Sequence, residues 1–268
     1  MNGSHLIAKS PVSAQVQRTP TWLAGLRTIL LAIMLALGIR TFIFEPFSIP
    51  SASMQPSLLA GDYVLVAKYP YGYSQASLPW RTAPFTGRRG GALPDRGDVA
   101  VFTDPRGSGT NFVKRIIGLP GDTVQVRGGQ LILNGTPVPR TRIADAVIPV
   151  TALTPCDGGG VVAGDCVFPQ YRETLSGVRS IRVLDSQRGS TADDTALFTV
   201  PENHLFVMGD NRDNSDDSRA REGFGMIPME TLVGRTDMIF LSVDGSARFG
   251  APSTWLSAIR WDRLGQRL

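Results

Sequence analysis

Two serines near the start of the chain are candidates for nucleophilic chemistry. Ser51 and Ser53 lie in the segment PSASMQP at residues 50–56, where an apolar run gives way to a proline-containing turn. A serine leaving a strand at such a turn would project from the strand end with the following amides exposed, which a nucleophile and its oxyanion donors need. Serine-rich strand exits are also common in linkers, so this segment alone does not indicate an enzyme.

A lysine that could activate such a serine lies in the segment NFVKRIIG at residues 111–118. The alternation of a strand puts Lys114 on the same face as the apolar Phe112 and Ile116. A charged residue in a strand usually faces solvent, but these neighbours favour a buried amine. The residue type matters because Arg cannot lose its proton near neutral pH, and only three of the 27 basic residues are Lys.

Two different bases could serve the serine. A Ser-His-Asp triad would have to use His204, because the other histidine, His5, precedes the long apolar run of the chain. A Ser-Lys dyad would use Lys114, whose pKa must fall from about 10.4 to about 8, at a cost of about 3.3 kcal/mol. Burial can supply a shift of that size.

A third polar motif, GDNRDNSDDSR, occupies residues 209–219. A calcium loop registered on Asp213 would need Gly at position 218 and Glu at position 224, where the chain has Ser218 and Phe224. A zinc site would lack ligands, since the chain has two His and two Cys. We therefore expect a polar turn here, and no metal and no cofactor in the protein.

An apolar segment precedes all of these residues. Residues 22–44 carry only two charges, Arg27 and Arg40, and as a helix they would cover about 34 Å, enough to span a bilayer. Basic residues without an acid precede it, so the positive-inside rule predicts a cytoplasmic tail at residues 1–21 and an extracytoplasmic domain at residues 45–268. A cleaved signal peptide is the alternative, and the apolar continuation beyond Arg40 favours the anchor.

The sequence after the apolar segment predicts a mainly β fold. Asn134-Gly135 between apolar flanks predicts a hairpin, and residues 84–97 and 155–164 are rich in turn formers and predict loops. Apolar residues from Trp255 to Leu268 recur at near-helical spacing and predict an amphipathic helix docked on the domain, with a membrane-surface helix as the alternative. The predicted strands cover residues 47–49, 63–67, 98–102, 112–117, 123–126 and 204–208.

The charge balance gives no indication of a nucleic-acid partner. The net charge is +4, and Lys9, Arg18 and Arg27 in the basic head account for three of these charges. A nucleic-acid surface would need a clustered basic stripe on the folded domain. Cys156 and Cys166 are ten positions apart and free to pair in an oxidising compartment outside the cytoplasm.

Together these segments resemble the successive motifs of bacterial type I signal peptidases, in the order of that family. The matching segments are RTFIFEPFSIPSASMQPSLL at 40–59, GDYVLVAKYPYGY at 61–73, GDVAVF and NFVKRIIGLPGD within 97–122, and VMGDNRDNSDDSR at 207–219. The motifs FVKRIIGLPGD and GDNRDNS-x-DSR are highly specific. The resemblance implies a membrane-bound endopeptidase that removes signal peptides from exported preproteins through an acyl-enzyme.

The resemblance also implies roles for individual residues. Ser53 corresponds to the nucleophile and Lys114 to the general base. Ser51 corresponds to the residue whose hydroxyl joins the Ser53 backbone amide in the oxyanion hole, and Ser215 to the serine that orients the lysine amine.

Further positions correspond to supporting and substrate-binding residues. Asp217 and Arg219 match a supporting ion pair, while Phe47, Ile49 and Val113 match walls of shallow pockets for small side chains. The implied partners are secretory preproteins with small residues at positions −1 and −3, and the lipid bilayer. The implied fold is an antiparallel-sheet catalytic lobe, at about 45–69, 98–123 and 200–250, with an inserted β accessory lobe at about 124–199.

This sequence departs from the family pattern at three places. Ala52 replaces a common Gly, Asp216 adds a charge, and residues 220–224 form a longer segment than in the shortest family members. Two other functions are a Ser-Lys protease dedicated to one substrate, such as a pilin, and a non-catalytic envelope binding protein. The complete 209–219 motif argues against the first, and the intact Ser53 and Lys114 argue against the second.

Overall fold

A computed structural model places an apolar helix before a domain of antiparallel sheets. The structure describes residues 21–81, 84–175, 179–187, 189–220 and 223–268, so the predicted cytoplasmic tail lies outside the described residues except for its last position. Residues Ile39–Leu268 form one compact unit. The division of this unit into a catalytic and an accessory lobe stays a prediction.

The apolar segment forms the helix α1 (Thr21–Phe42). From Trp22 to Phe42 its mean hydropathy is 2.0, and it is long and apolar enough to cross a membrane. Apolar side chains are exposed on every side of it. The helix ends two residues before the predicted end at Phe44. Phe44 already belongs to the first strand, where it pairs with Ala67 of the second strand, and Pro46 follows.

The rest of the described chain is mainly β, which confirms the predicted fold class, and each of the six predicted strands overlaps an observed one. The strands are β1 (Phe44–Ser48), β2 (Asp62–Ala67), β3 (Val99–Thr103), β4 (Asn111–Gly118), β5 (Thr123–Arg127), β6 (Gln130–Leu133), β7 (Thr136–Pro137), β8 (Arg140–Pro149), β9 (Gly160–Val162), β10 (Asp165–Leu175), β11 (Arg179–Leu184), β12 (Phe198–Thr199), β13 (His204–Met208), β14 (Ile227–Pro228) and β15 (Leu232–Ser242). The helix α2 (Ser253–Ser257) and four 3-10 turns, at Gln75–Ser77, Pro79–Arg81, Met229–Thr231 and Trp261–Arg263, complete the described elements.

The strands form three antiparallel sheets. The central sheet has the order β1-β2-β15-β3-β4-β13-β14. The second sheet has the order β11-β10-β8, with β9 also beside β10, and the third has the order β12-β5-β6-β7. One apolar cluster joins Ile117 and Phe206 of the central sheet to Leu175 of the second and Leu131 of the third. The sheets therefore share a hydrophobic core.

Local turn chemistry explains two connections. Asn134 and Gly135 adopt φ values of +52° and +74°, as a type I′ hairpin turn requires, and the predicted hairpin is confirmed. The prediction of a loop at residues 155–164 is wrong in its second half, because Gly160–Val162 pairs with β10 as strand β9. Two β-branched valines favour that pairing. Cys156 and Cys166 form a disulfide.

The carboxyl-terminal segment is docked on the domain, as predicted, but most of it is not a helix. Only Ser253–Ser257 is α-helical. Beyond it the backbone bonds to β15 instead: the Arg260 amide donates to Ser242 and the Gly265 amide to Ile239. Pairing with a strand edge has therefore prevailed over the near-helical spacing of the apolar residues.

A buried aspartate receives this segment. Asp62 is fully buried and accepts hydrogen bonds from the Leu59 amide at 2.8 Å and the Ser242 hydroxyl at 2.7 Å. The Arg263 guanidinium completes its coordination at 3.0 and 2.5 Å. Arg263 also donates to the Ser57 carbonyl at 3.1 Å. The end of the chain thus fixes the segment between β1 and β2.

We expect Arg263→Met to lower the free energy of unfolding by about 3 kcal/mol, because it leaves the buried Asp62 carboxylate without its closest cation. Arg267 provides the matched control, since it is exposed in the same segment. Arg267→Met should change stability by no more than about 0.5 kcal/mol. Denaturant unfolding of both variants checks this, and equal stabilities would contradict the role given to Arg263.

Candidate active site

Ser53 lies in a turn within the loop of residues 49–61 that connects β1 to β2. The Ile49 amide donates to the Asp62 carbonyl at 2.8 Å, so the strand pairing continues to the start of the turn. Met54 and Leu58 are buried in the core below it. The Ser53 side chain is 8% exposed, and its backbone amide donates no hydrogen bond to any residue that the structure describes. A serine hydroxyl and a backbone amide without a hydrogen-bond partner among the described residues therefore share this turn.

Lys114 reaches Ser53 from strand β4, which lies three strands away from β2 in the central sheet. It is 3% exposed, which confirms the buried position that strand alternation predicts. Its Nζ lies 2.6 Å from Ser53 Oγ, a short distance that is typical of a charge-assisted hydrogen bond. The two residues are 61 positions apart in sequence. The central sheet brings them together because β1 and β4 both border the same apolar cluster, through Phe47 and Val113.

The surroundings of Lys114 favour loss of its proton. Burial lowers the pKa of Lys114 from 10.5 to about 8, against the charges of Asp217 and Asp216, which raise it. The positive charge of Arg219 acts in the same direction as burial. At neutral pH about a tenth of the amine is therefore unprotonated.

The predicted oxyanion and pocket residues lie beside this pair. Ser51 Oγ is 3.3 Å from Ser53 Oγ, and Ser51 is exposed to solvent. Ile49 belongs to the apolar cluster, and Phe47 and Val113 pack against it. The structure thus gathers six of the predicted site residues around one turn.

Ser215 approaches from the 209–219 segment. Its hydroxyl is buried and makes no hydrogen bond to Lys114 in this structure. It lies close enough to Asp217 to help lower the pKa of that carboxyl. It packs on Gly209, where a Cβ atom would also lie only 2.5 Å from the Ser53 carbonyl oxygen. Sequence reasoning missed Gly209, although a glycine at the start of a polar motif is a signal of close backbone approach.

Asp217 and Arg219 form a buried ion pair at 2.8 Å. Asp217 also accepts a hydrogen bond from the Gly209 amide at 3.0 Å. Burial alone would raise the pKa of Asp217, but the charge of Arg219 and these hydrogen bonds more than offset it and lower the pKa. The carboxylate therefore stays ionised close to the lysine.

Two further residues that sequence reasoning missed hold the 209–219 segment against Ser53. The Asn211 amide donates to the Ser53 carbonyl at 3.1 Å, and its side chain donates to the Ala52 carbonyl at 3.3 Å. Asp210 pairs with Arg115 of β4 at 2.6 Å. Their place in a polar motif was visible, but their partners lie far away in sequence.

His204 has no part in this arrangement. Its Nδ1 contacts the Glu202 carbonyl at 2.9 Å. It begins β13, whereas Gly209, which touches Ser53, follows the other end of that strand, about 15 Å away at the rise of a β-strand. The geometry favours Lys114 as the base.

Comparison with known proteins shows the family to which this chain belongs. Residues 22–241 match the family model described as signal peptidase, peptidase S26. The chain belongs to this signal peptidase family. Signal peptidase I of Rickettsia typhi is 34% identical over 222 residues, which cover 78% of this chain and 76% of the relative. Signal peptidase I of Rickettsia prowazekii is equally similar, at 34% over 222 residues and the same shares of both chains.

A solved structure is also similar to this signal peptidase family member. The crystal structure of a signal peptidase I from Enterococcus faecalis is 28% identical in sequence and covers 54% of this chain and 97% of the solved chain, with a TM-score of 0.29.

Burial of the Lys114 amine should destabilise this signal peptidase family member. The folded pKa of about 8 lies below the unfolded value of 10.5, so the cost is complete below pH 8 and disappears as the pH rises towards 10.5. We expect Lys114→Met to raise the free energy of unfolding at pH 7 by up to about 3 kcal/mol, and by less at pH 10. Denaturant unfolding in detergent measures both.

The control is Lys114→Arg, which keeps a charge that cannot be lost and should be less stable than the wild type. A Lys114→Met variant that is less stable than the wild type at pH 7 would contradict this account of Lys114.

Proposed function

We propose that this chain is a membrane-anchored serine endopeptidase that removes amino-terminal signal peptides from exported preproteins. One observation carries the proposal: a buried lysine amine with a pKa of about 8 lies 2.6 Å from the hydroxyl of Ser53 in a chain of the signal peptidase family. A nucleophile and a base within hydrogen-bond reach are the minimum for covalent catalysis.

In the first half of the proposed reaction, Ser53 Oγ attacks the carbonyl carbon of the scissile bond. The neutral Lys114 amine accepts the hydroxyl proton as the new C–O bond forms. When the tetrahedral intermediate collapses, the C–N bond breaks and the Lys114 ammonium gives its proton to the departing amine. The mature protein leaves, and the signal peptide stays attached to Ser53 as an ester.

In the second half, Lys114 accepts a proton from water, and the resulting hydroxide equivalent attacks the ester. The C–O bond to Ser53 breaks as the Lys114 ammonium returns its proton to Ser53 Oγ, and the signal peptide leaves with a new carboxyl group. In both halves the charge on the carbonyl oxygen needs donors. The free Ser53 amide and the Ser51 hydroxyl, which lies beside Ser53 Oγ, are the nearest candidates.

Supporting roles follow for the 209–219 segment. The ionised Asp217, paired with Arg219, holds the Gly209 amide, and Gly209 packs on both Ser53 and Ser215. We assign Ser215 the orientation of the Lys114 amine during the reaction. Two observations support this role: the Ser215 hydroxyl is buried, and it lies against Gly209 beside the Ser53 carbonyl.

An extended preprotein could bind by adding strands to free sheet edges. Among the described strands β1 pairs only with β2, and residues 111–114 of β4 pair only with β3, because pairing with β13 begins at Arg115. Backbone bonds at these edges would provide affinity. Phe47, Ile49 and Val113 would limit the adjoining pockets to small side chains at positions −1 and −3.

The orientation of the anchor forms part of the same proposal. Basic residues without an acid precede the helix, which supports a cytoplasmic amino terminus, with residues 45–268 outside the cytoplasm. The disulfide between Cys156 and Cys166 supports the same orientation, because disulfides persist in oxidising compartments. The substrate would then meet Ser53 on the side to which exported proteins emerge.

The proposal is tested by incubating the detergent-solubilised full chain with a preprotein and following release of the mature chain. Ser53→Ala and Lys114→Arg should both lower cleavage at least a thousandfold, the second because guanidinium stays protonated. His204→Ala should retain wild-type activity. Cleavage by Lys114→Arg within tenfold of wild type would contradict the dyad, and loss of activity in His204→Ala would favour a triad.

The same assay tests the oxyanion role of Ser51. Ser51→Ala should lower kcat by about 10²–10³ with little change in KM, because the donor acts on the transition state. Ser51→Thr keeps the donor and should retain more activity. If the two variants behave alike and close to wild type, Ser51 has no such role.

The orientation predicts the products of proteolysis in sealed membrane vesicles that keep the cytoplasmic side inside. Protease added outside should digest the part after Glu45 and spare the first 20 residues or so. Protection of the large domain would contradict the orientation. A purified protein that begins near Ile39 would show instead that the apolar segment is cleaved off.

A further inference from the structure

A buried ion pair connects the second sheet to the 209–219 segment. Arg212 of that segment donates to both carboxylate oxygens of Glu173 in β10, at 3.0 and 2.5 Å. Arg212 is 4% exposed and Glu173 is fully buried. A bidentate pair out of contact with water has a fixed geometry, and loss of one partner leaves an uncompensated charge.

Backbone contacts reinforce the same junction. The Leu184 amide at the end of β11 donates to the Asp210 carbonyl, and the Arg212 amide donates back to the Leu184 carbonyl, both at 2.9 Å. Asp213 accepts hydrogen bonds from the Ser186 and Gln187 amides at 2.6 and 2.9 Å. The first half of the 209–219 segment is thus held on the second sheet from both sides of Arg212.

The other side of the segment holds the nucleophile. Asn211, the residue before Arg212, bonds to the carbonyl of Ser53 through its amide. The Arg212 carbonyl accepts a hydrogen bond from Arg219 at 2.7 Å, and Arg219 pairs with Asp217. Arg212 therefore connects Glu173 to Ser53 through Asn211, and to the Asp217–Arg219 pair through its own carbonyl.

We propose that Glu173 is a positioning residue for the peptidase reaction, which makes the second sheet a required part of the active site. Its carboxylate neutralises and orients Arg212, and Arg212 in turn fixes the backbone that holds the Ser53 carbonyl and the Asp217–Arg219 pair. This inference rests on the proposed peptidase function. Small displacements of a nucleophile relative to its base reduce the rate steeply, so the effect belongs on kcat rather than on KM.

The first test is Glu173→Gln in the full chain, assayed on a preprotein in detergent. The change keeps the shape of the side chain and removes the charge that Arg212 requires. We expect kcat to fall at least tenfold with KM changed less than twofold. Glu202→Gln is the matched control, because Glu202 is exposed and should keep wild-type kinetics. Wild-type kcat in Glu173→Gln would overturn the proposal.

A double variant separates positioning from a loss of stability. Glu173→Gln combined with Arg212→Met removes the whole buried pair and with it the uncompensated charge, so the unfolding midpoint should recover relative to Glu173→Gln. If Glu173 is a positioning residue, kcat should stay low in the double variant although its unfolding midpoint has recovered. Recovery of kcat in parallel with the unfolding midpoint would overturn the proposal, and this test holds even if Glu173→Gln alone fails to fold.

Failure of this inference can be distinguished from failure of the proposed function. If the wild type and Glu202→Gln release the mature chain, the peptidase function stands and the result for Glu173 decides the inference alone. If neither releases it, the proposed function fails and the positioning role fails with it.

Discussion

The arrangement of this domain depends on keeping a lysine amine dry enough to lose its proton beside a serine. A site that lowers the pKa of Lys114 to about 8 also makes every other nearby charge costly to bury. The buried acids around it are accordingly paired: Asp217 with Arg219 and Asp210 with Arg115. Lys114 differs from these acids, because burial disfavours its charged form.

These ion pairs also determine where the backbone goes, because each of the longer-range pairs joins distant parts of the chain. Arg115 and Asp210 tie β4 to the 209–219 segment, Glu173 and Arg212 tie that segment to the second sheet, and Asp62 receives the end of the chain through Arg263. Ser53 lies in a turn, where backbone mobility is usually high. Buried ion pairs and the core beneath Met54 and Leu58 provide the rigidity that its turn alone would lack.

Local patterns predicted six of the fifteen described strands, the Asn134-Gly135 hairpin and the buried side of Lys114, because alternation and turn chemistry act over a few residues. Long strands such as β10 and β15 were missed. The contacts of the 209–219 segment could not be predicted in this way, since Glu173 and Arg212 are 39 positions apart. Separation in sequence also explains why the helix predicted at the carboxyl terminus is mostly absent. Its apolar spacing favours a helix, but Arg263 binds Asp62, 201 positions away, and the backbone pairs with β15.

The strong preference for Arg over Lys gives the described surface an unusual chemical character. Its two described lysines are both buried, Lys68 against Glu45 and Lys114 beside Ser53, so the described surface offers no lysine amine. A partly deprotonated amine is also a nucleophile towards aldehydes and other electrophiles. An inhibitor that carries such a group into the site would therefore form its covalent bond at Lys114 with little competition from other side-chain amines of the same domain.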